Sequence, residues 1–188
     1  LGLSRTFQHV RLLSRMSVLE NVAIGAHLRG HRGVLPAAWR LDRPEESRLL
    51  AEAARQVERV GLGKHLHDEA GSLALGQQRI LEIARALASD PCILLLDEHT
   101  AALDPGMAEF VMELTQRLVS EHRLTTLMVT HSMRQALDFG TRTVMLHGGR
   151  VVLDVAGDSR HGLTVEDLIE MFRNCLLYTS DAADDSLR

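Results

Sequence analysis

The sequence predicts an α/β fold built on a mostly parallel sheet, and three observations carry that expectation. Ile80, Ile83, Ala84 and Leu87 recur at the i, i+3, i+4, i+7 spacing of one helical face. Ile93–Leu96 follow as an apolar run without alternation, the pattern of a parallel strand covered on both faces. Leu124–Thr130 read as another buried strand, reached through a helical stripe at Met107, Val111, Leu114 and Leu118.

Bulk properties bound the class. At 188 residues the chain is one domain by length, with enough residues for a real core. A formal charge of −4 and a pI near 6.2 leave no basic footprint for nucleic acid. Apolar residues make up 45% of the chain, within the globular range, yet no run is long enough to span a bilayer. Two cysteines, Cys92 and Cys175, make no disulfide framework, and a cytosolic protein fits best. No signal peptide is visible; the chain opens on Leu1, so its true start is expected upstream.

Taken in order, residues 2–7 (GLSRTF) read as a strand leading into Gln8. Val18, Val22 and Leu28 have helical spacing, and HRGVLPAAW, with Pro36 and Trp39, reads as a loop. Asp42 and Glu45 resemble a capping box with Pro44 in the first turn. Leu50, Ala53, Val57 and Val60 line one face of the helix that follows, and Gly61 and Gly63 end it. His65, His67, Asp68 and Glu69 are metal-type donors. They crowd one loop with no second cluster to complete a site, so a solvated linker is expected.

A glycine-bearing turn at Gly76 opens the next helix, which Ser89, Asp90 and Pro91 stop. Beyond the apolar strand, Asp104 and Pro105 form an N-cap and first-turn pair. Residues 142–147 and 150–154 read as a hairpin about Gly148-Gly149, and Thr164 opens a short final helix, VEDLIEMF.

Asp97 and Glu98 emerge at the carboxyl end of the Ile93–Leu96 strand, where open α/β sheets place their ligands. Two adjacent carboxylates there can divide labour. Asp97 can hold a hydrated Mg²⁺, which takes oxygen ligands and keeps several waters. Glu98 can accept a proton from an attacking water, or orient it. The arrangement is that of a nucleotide hydrolase, although a buried strand that merely surfaces on two acids has the same local sequence. The helix beginning near Gly76 presents backbone N–H groups and a positive dipole end suited to an anion, as any glycine-started helix does. His131 can donate a hydrogen bond to a phosphate, or be a structural strand-end histidine. Company decides these readings.

That company resembles the ordered motifs of ATP-binding-cassette (ABC) ATPases. Leu73-Ala74-Leu75-Gly76-Gln77 is similar to the signature LSGGQ, and Ile93–Leu96 with Asp97 and Glu98 to Walker B and the catalytic glutamate. Ala102-Leu103-Asp104 resembles the D-loop, His131 the switch histidine, and Thr6-Phe7-Gln8 the Q-loop. The resemblance covers about residues 1–174. It implies a P-loop NTPase-like (RecA-like) sheet with helices on both faces, an inserted helical subdomain and a missing N-terminal part. The implied division is 1–8 as the end of the core, 9–72 helical subdomain, 73–174 catalytic core and 175–188 a non-native tail.

The same resemblance assigns roles. Glu98 and His131 would be catalytic, Asp97 and Gln8 would meet Mg²⁺, and Asp104 would reach across a dimer. Gln8 would also lie where the core meets the membrane subunit. Leu73, Ala74, Leu75, Gly76 and Gln77 would face the γ-phosphate of ATP held by a second ATPase subunit. Ala74 lacks the usual serine hydroxyl. Leu75 replaces a glycine, although branched-chain amino acid transporter ATPases often carry a bulky residue there. His99 stands where the family usually has proline and is expected to be a surface substitution.

The implied function is the nucleotide-binding subunit of a bacterial importer on the cytoplasmic face of the inner membrane. Its cofactors would be ATP and Mg²⁺. Its partners would be transmembrane permease subunits and, indirectly, a periplasmic binding protein; nucleic acid is not among them. Residues 1–98 most resemble branched-chain amino acid importer ATPases, while lipopolysaccharide-export ATPases share much of the pattern. Residues 99–174 look closer to another importer group, so ILLLDE is a candidate join between two genes. A non-catalytic binding module is the third possibility.

No G-x-x-x-x-G-K-[ST] occurs in the chain; Gly63-Lys64 is the nearest approach. Without that loop no lysine and no backbone cradle serve the β- and γ-phosphates. The chain by itself is therefore expected neither to bind ATP tightly nor to hydrolyse it, and its sheet to expose unpaired edges. Cys175–Asp185 (CLLYTSDAADD) resembles a translated sequencing-library adapter and is set aside from the fold.

Overall fold

A computed structural model describes residues 3–5, 12–27 and 43–173, in two compact units, Leu1–Val129 and Thr130–Arg188. The first unit carries a parallel sheet in the order β1 (Leu3–Arg5), β2 (Ile93–Asp97), β3 (Thr125–Val129). The register sets Leu3 against Ile93 and Asp97 against Val129, so β2 is central.

Among the described residues that unit also holds four α-helices: α1 (Val18–His27), α2 (Arg43–Arg59), α3 (Leu75–Ala88) and α4 (Pro105–His122). The expected stripes all turn inward. Val18 and Val22 of α1, Ala53 and Val57 of α2, Ile80, Ile83 and Leu87 of α3, and Val111, Leu114 and Leu118 of α4 share one buried cluster. Burying each large side chain contributes roughly 1.5–3 kcal/mol. Helices α1, α2 and α3 pack on one another. Gly25 permits the α1–α3 crossing, because a Cβ there would stand 2.0 Å from the carbonyl oxygen of Arg85. Ser17 and Glu20 form a reciprocal capping box at the start of α1, with Ser17 N–H to Glu20 Oε2 at 2.8 Å and Glu20 N–H to Ser17 Oγ at 3.2 Å.

Two expectations about strand burial need correction. Leu94 and Leu96 are 1% exposed and pack against Ala86 of α3 and Val119 of α4, but Ile93 on the opposite face is 42% exposed. In β3, Leu127 and Val129 are likewise exposed. The described helices that reach the sheet meet one face, and an apolar run does not say which element covers it. β2 is thus buried, and β3 half-buried, on alternate residues.

The segment after α2 is solvated, as expected, but tied down through its backbone. Gly61, at φ +80°, ends α2, and Gly63–His65 form a 3-10 turn. The chain then pairs with the start of α1, Val18 and Leu19 donating to the carbonyls of Asp68 and Leu66 at 3.0 Å each. It satisfies helix-start donors that no intrahelical bond can reach, while the side chains of His67, Asp68 and Glu69 stay exposed, as expected of a solvated linker. Among the described residues no group of three or more potential metal ligands gathers there or elsewhere.

The second unit holds α5 (Met133–Asp138), the hairpin of β4 (Arg142–His147) and β5 (Arg150–Ala156), α6 (Asp158–His161) and a helix, α7, over 165–173. Gly148 and Gly149 turn the hairpin with φ of +54° and +75°. Buried Arg160 donates from Nη2 to the carbonyls of Leu137 at 2.5 Å and Phe139 at 2.7 Å, neutralising the end of α5. Thr164 caps α7, its Oγ accepting from Asp167 N–H at 3.2 Å. Among the described residues no helix is long and apolar enough to cross a membrane. Gln8, Leu28, Pro36, Trp39, Asp42 of the expected cap and the segment from Cys175 onward lie outside the described residues.

Candidate functional site

The end of β2 is the candidate site. Asp97 and Glu98 are both half-buried. By the strand's alternation Asp97 shares a side with Ile93 and Leu95, away from the face that α3 and α4 cover. Glu98 adopts φ +45°, which non-glycine residues rarely hold. Its N–H donates to the Val129 carbonyl at 3.0 Å, and its own carbonyl accepts from Ala101 N–H at 2.9 Å. Ala102, four residues on, is a second left-handed residue at φ +63°. Such conformations persist where surrounding bonds over-determine them, and they cluster at working sites.

His99 is no surface residue: it is 3% exposed. Burial first, and the Arg79 guanidinium second, push its pKa down to about 4. Its Nε2 has no hydrogen-bond partner among the described residues. Arg79 belongs to α3 and pairs with Glu82 at 3.2 Å, both side chains buried. The reversal at Glu98 therefore tucks the next residue against the helix that the Leu73–Gln77 turn begins.

That turn has a layered construction. Leu73 is buried, Ala74 is the extended N-cap residue of α3 and exposed, and Leu75 is 41% exposed. Gly76 is buried, and a Cβ on it would stand 2.4 Å from Met107 Cγ. Met107 N–H in turn donates to Asp104 Oδ1 at 3.0 Å, confirming Asp104 as the N-cap of α4. Gly76 and Asp104, from two separate motifs, thus meet through one methionine. Gly76 thus has a packing reason of its own.

His131 belongs to the second unit, two residues past the end of β3, and is exposed. Beside it Ser132 caps α5, its Oγ accepting from Gln135 N–H at 3.3 Å. Gln8 lies outside the described residues.

The residues present fit part of a metal–triphosphate group. Ala74 has no side-chain oxygen to occupy the leading N–H groups of α3, which suits them to an anion. Asp97 offers the hard oxygen that Mg²⁺ takes. The loop that would cradle the remaining phosphates is not in the sequence.

The sequence reading also missed several buried polar residues. Asn21, 0% exposed, accepts from Leu13 N–H at 2.9 Å and donates to the Leu13, Met16 and Ser17 carbonyls. Arg79 and Glu82 looked like ordinary polar positions of an amphipathic helix. Only the i, i+3 spacing of opposite charges hinted at their pairing.

Comparison with known proteins places these observations. The family described as ABC transporter matches residues 2–101. A tyrosine transport ATP-binding protein of Clostridioides difficile is 46% identical over 113 residues, covering 60% of this chain and 45% of the relative. The high-affinity branched-chain amino acid transport ATP-binding protein LivG of Escherichia coli is 36% identical over 151 residues, 79% of this chain and 59% of the relative. The phosphonates import ATP-binding protein PhnC of Frankia casuarinae is 43% identical over 165 residues, covering 85% and 61%. A match to that share of the chain runs through ILLLDE, residues 93–98, where the sequence suggested a join. The chain therefore spans about half to three-fifths of these relatives. Among solved structures, an ABC transporter's ATP-binding cassette in its ADP conformation superposes with a TM-score of 0.73 at 26% identity, covering 91% of this chain and 68% of that one. A nucleotide-free cassette gives 0.72 at 25% identity, with the same coverage. The fold is that of P-loop NTPases.

Proposed function

The chain belongs to the ABC transporter family, and from that premise we propose that it is part of the ATPase subunit of a bacterial importer. The observation that supports this most is the left-handed Glu98, bonded to β3 and one residue beyond Asp97 at the tip of the central strand. A carboxylate held there by backbone bonds keeps its position without help from a flexible loop.

The division of labour follows from the residues. Bound MgATP supplies the phosphoanhydride whose cleavage drives transport. Asp97 would hold the metal, together with Gln8. Glu98 accepts a proton from, or orients, the attacking water at its carboxylate. The Leu73–Gln77 turn offers the N–H groups at the start of α3 to the γ-phosphate of a nucleotide carried by a second subunit. Asp104 keeps its capping bond and faces the same partner, and His131 donates to the phosphate from a ring nitrogen. On this reading residues 1–8 and 73–174 make up the catalytic core and 9–72 the helical subdomain, with Gln8 where the core meets the permease.

The cargo is an amino acid, most simply a branched-chain one. Relatives named for tyrosine and branched-chain amino acid transport support this, as do the stretches RTFQHVRLLSRMSVLENVAIG and LALGQQRILEIARAL. The phosphonate-import relative, with its longer span, favours an oxyanion importer as the second reading. Permease subunits and, through them, a periplasmic binding protein are the partners, at the cytoplasmic face of the inner membrane.

The test is turnover by the ATPase subunit that carries this sequence together with its phosphate loop. Glu98→Gln is expected to slow hydrolysis roughly 10²–10⁴-fold while ATP binding persists. Hydrolysis within a few-fold of the parent would remove Glu98 from the chemistry. The 188-residue chain alone, having no G-x-x-x-x-G-K-[ST], is expected not to bind ATP at micromolar concentration.

A further inference from the structure

Helix α3 begins on a residue that cannot cap it, and a histidine from outside the motif completes the repair. Ser, Thr, Asp and Asn are favoured at an N-cap because a side-chain oxygen accepts a free N–H. Ala74 has none. Gln77 supplies the returning half of a capping box, its Oε1 accepting from Ala74 N–H at 3.1 Å. With that oxygen committed, the Gln77 amide turns its NH2 toward His65 Nε2, 3.3 Å away. The ring nitrogen must then accept, which leaves the ring proton on Nδ1, 2.7 Å from Asp68 Oδ2. Asp68 sits on anchored backbone, its carbonyl accepting from Val18 N–H at 3.0 Å. From Asp68 to Ala74 every donor and acceptor has one assignment.

We infer that His65, backed by Asp68, is a positioning residue for the Leu73–Gln77 turn. It fixes which way the Gln77 amide faces, and so holds the Ala74 backbone that leads into the phosphate-facing N–H groups. Without this acceptor the Gln77 amide can rotate half a turn and present its NH2 to Ala74 N–H, two donors facing each other. The consequence for function rests on the nucleotide-facing role proposed above for this turn.

Nitrogen-15 NMR of the imidazole, together with amide hydrogen exchange of the whole chain, tests this without nucleotide. The expected result is an Nδ1–H tautomer at His65, the minor form of a free neutral imidazole. His65→Phe, which keeps a ring but no acceptor, should speed exchange at Ala74 roughly 5–10-fold, the scale of one neutral hydrogen bond. Exchange at Ile83, in the middle of α3, should stay unchanged and so verify folding. His65→Gln, whose Oε1 can accept from Gln77, should restore most of the protection. An Nε2–H ring, or Ala74 exchange indifferent to His65→Phe, overturns the inference. Failure of the nucleotide reading would leave these values untouched and appear instead as unimpaired turnover in Glu98→Gln.

Discussion

Burial holds the His99 imidazole neutral down to a pH of about 4, against 6.5 for the free side chain. The charged groups beside it are Arg79 and, through Arg79, Glu82. Between those two pH values the unfolded chain takes up a proton that the folded chain refuses. The stability tied to this histidine is therefore complete above pH 6.5, falls as the pH drops toward 4, and changes no further below. A shift of this size corresponds to about 3 kcal/mol. Urea midpoints at pH 7 and pH 4.5 should move further apart in the wild type than in His99→Leu, which buries no titratable group. Equal movement in both would show that His99 is not the source. Nothing local in the sequence marked this residue as buried. His99 follows two acids in a polar stretch, and only the reversal at Glu98 takes it inside.

Among the described glycines, Gly25 at the α1–α3 crossing has the least room for a side chain. Gly25→Ala would drive a methyl group into the Arg85 carbonyl, which is backbone and cannot rotate away. Overpacking of this kind costs about 1–3 kcal/mol, more than the roughly 1 kcal/mol that alanine adds as a helix former. A lowered urea midpoint is expected, and an unchanged or raised one would mean that the two helices separate freely. Helix existence was legible because a burial stripe repeats every turn. Val57, Ile80, Val111 and Leu118 all lie where their spacing put them. Strand faces were not, since Leu95 and Leu127 are as apolar as Leu94 and Leu96 yet point to the less covered side. The Gly25–Arg85 crossing and the reach of Gln77 to His65 join positions far apart in the chain. No periodicity records such contacts.

At the scale of the molecule, the order of the motifs alone points to the family. A strand ending on Asp97-Glu98, a glycine-started helix before it and a capped helix after it form one sequence of functions. The structure adds how they are joined. Glu98 is pinned to β3, His99 lies against α3, and Gly76 meets Asp104's helix through Met107. The acids at the tip of β2 and the turn that begins α3 are thus parts of one packed unit. A second subunit's nucleotide is proposed to engage that turn.

Two such subunits should close around ATP and stay closed until hydrolysis. Analytical ultracentrifugation of the Glu98→Gln ATPase subunit, with its phosphate loop and in the presence of MgATP, measures this directly. The account predicts a long-lived dimer that appears only with ATP, because closure is intact and cleavage is slow. A subunit that remains monomeric with ATP bound, or a dimer that dissolves as fast as the wild type's, would contradict it.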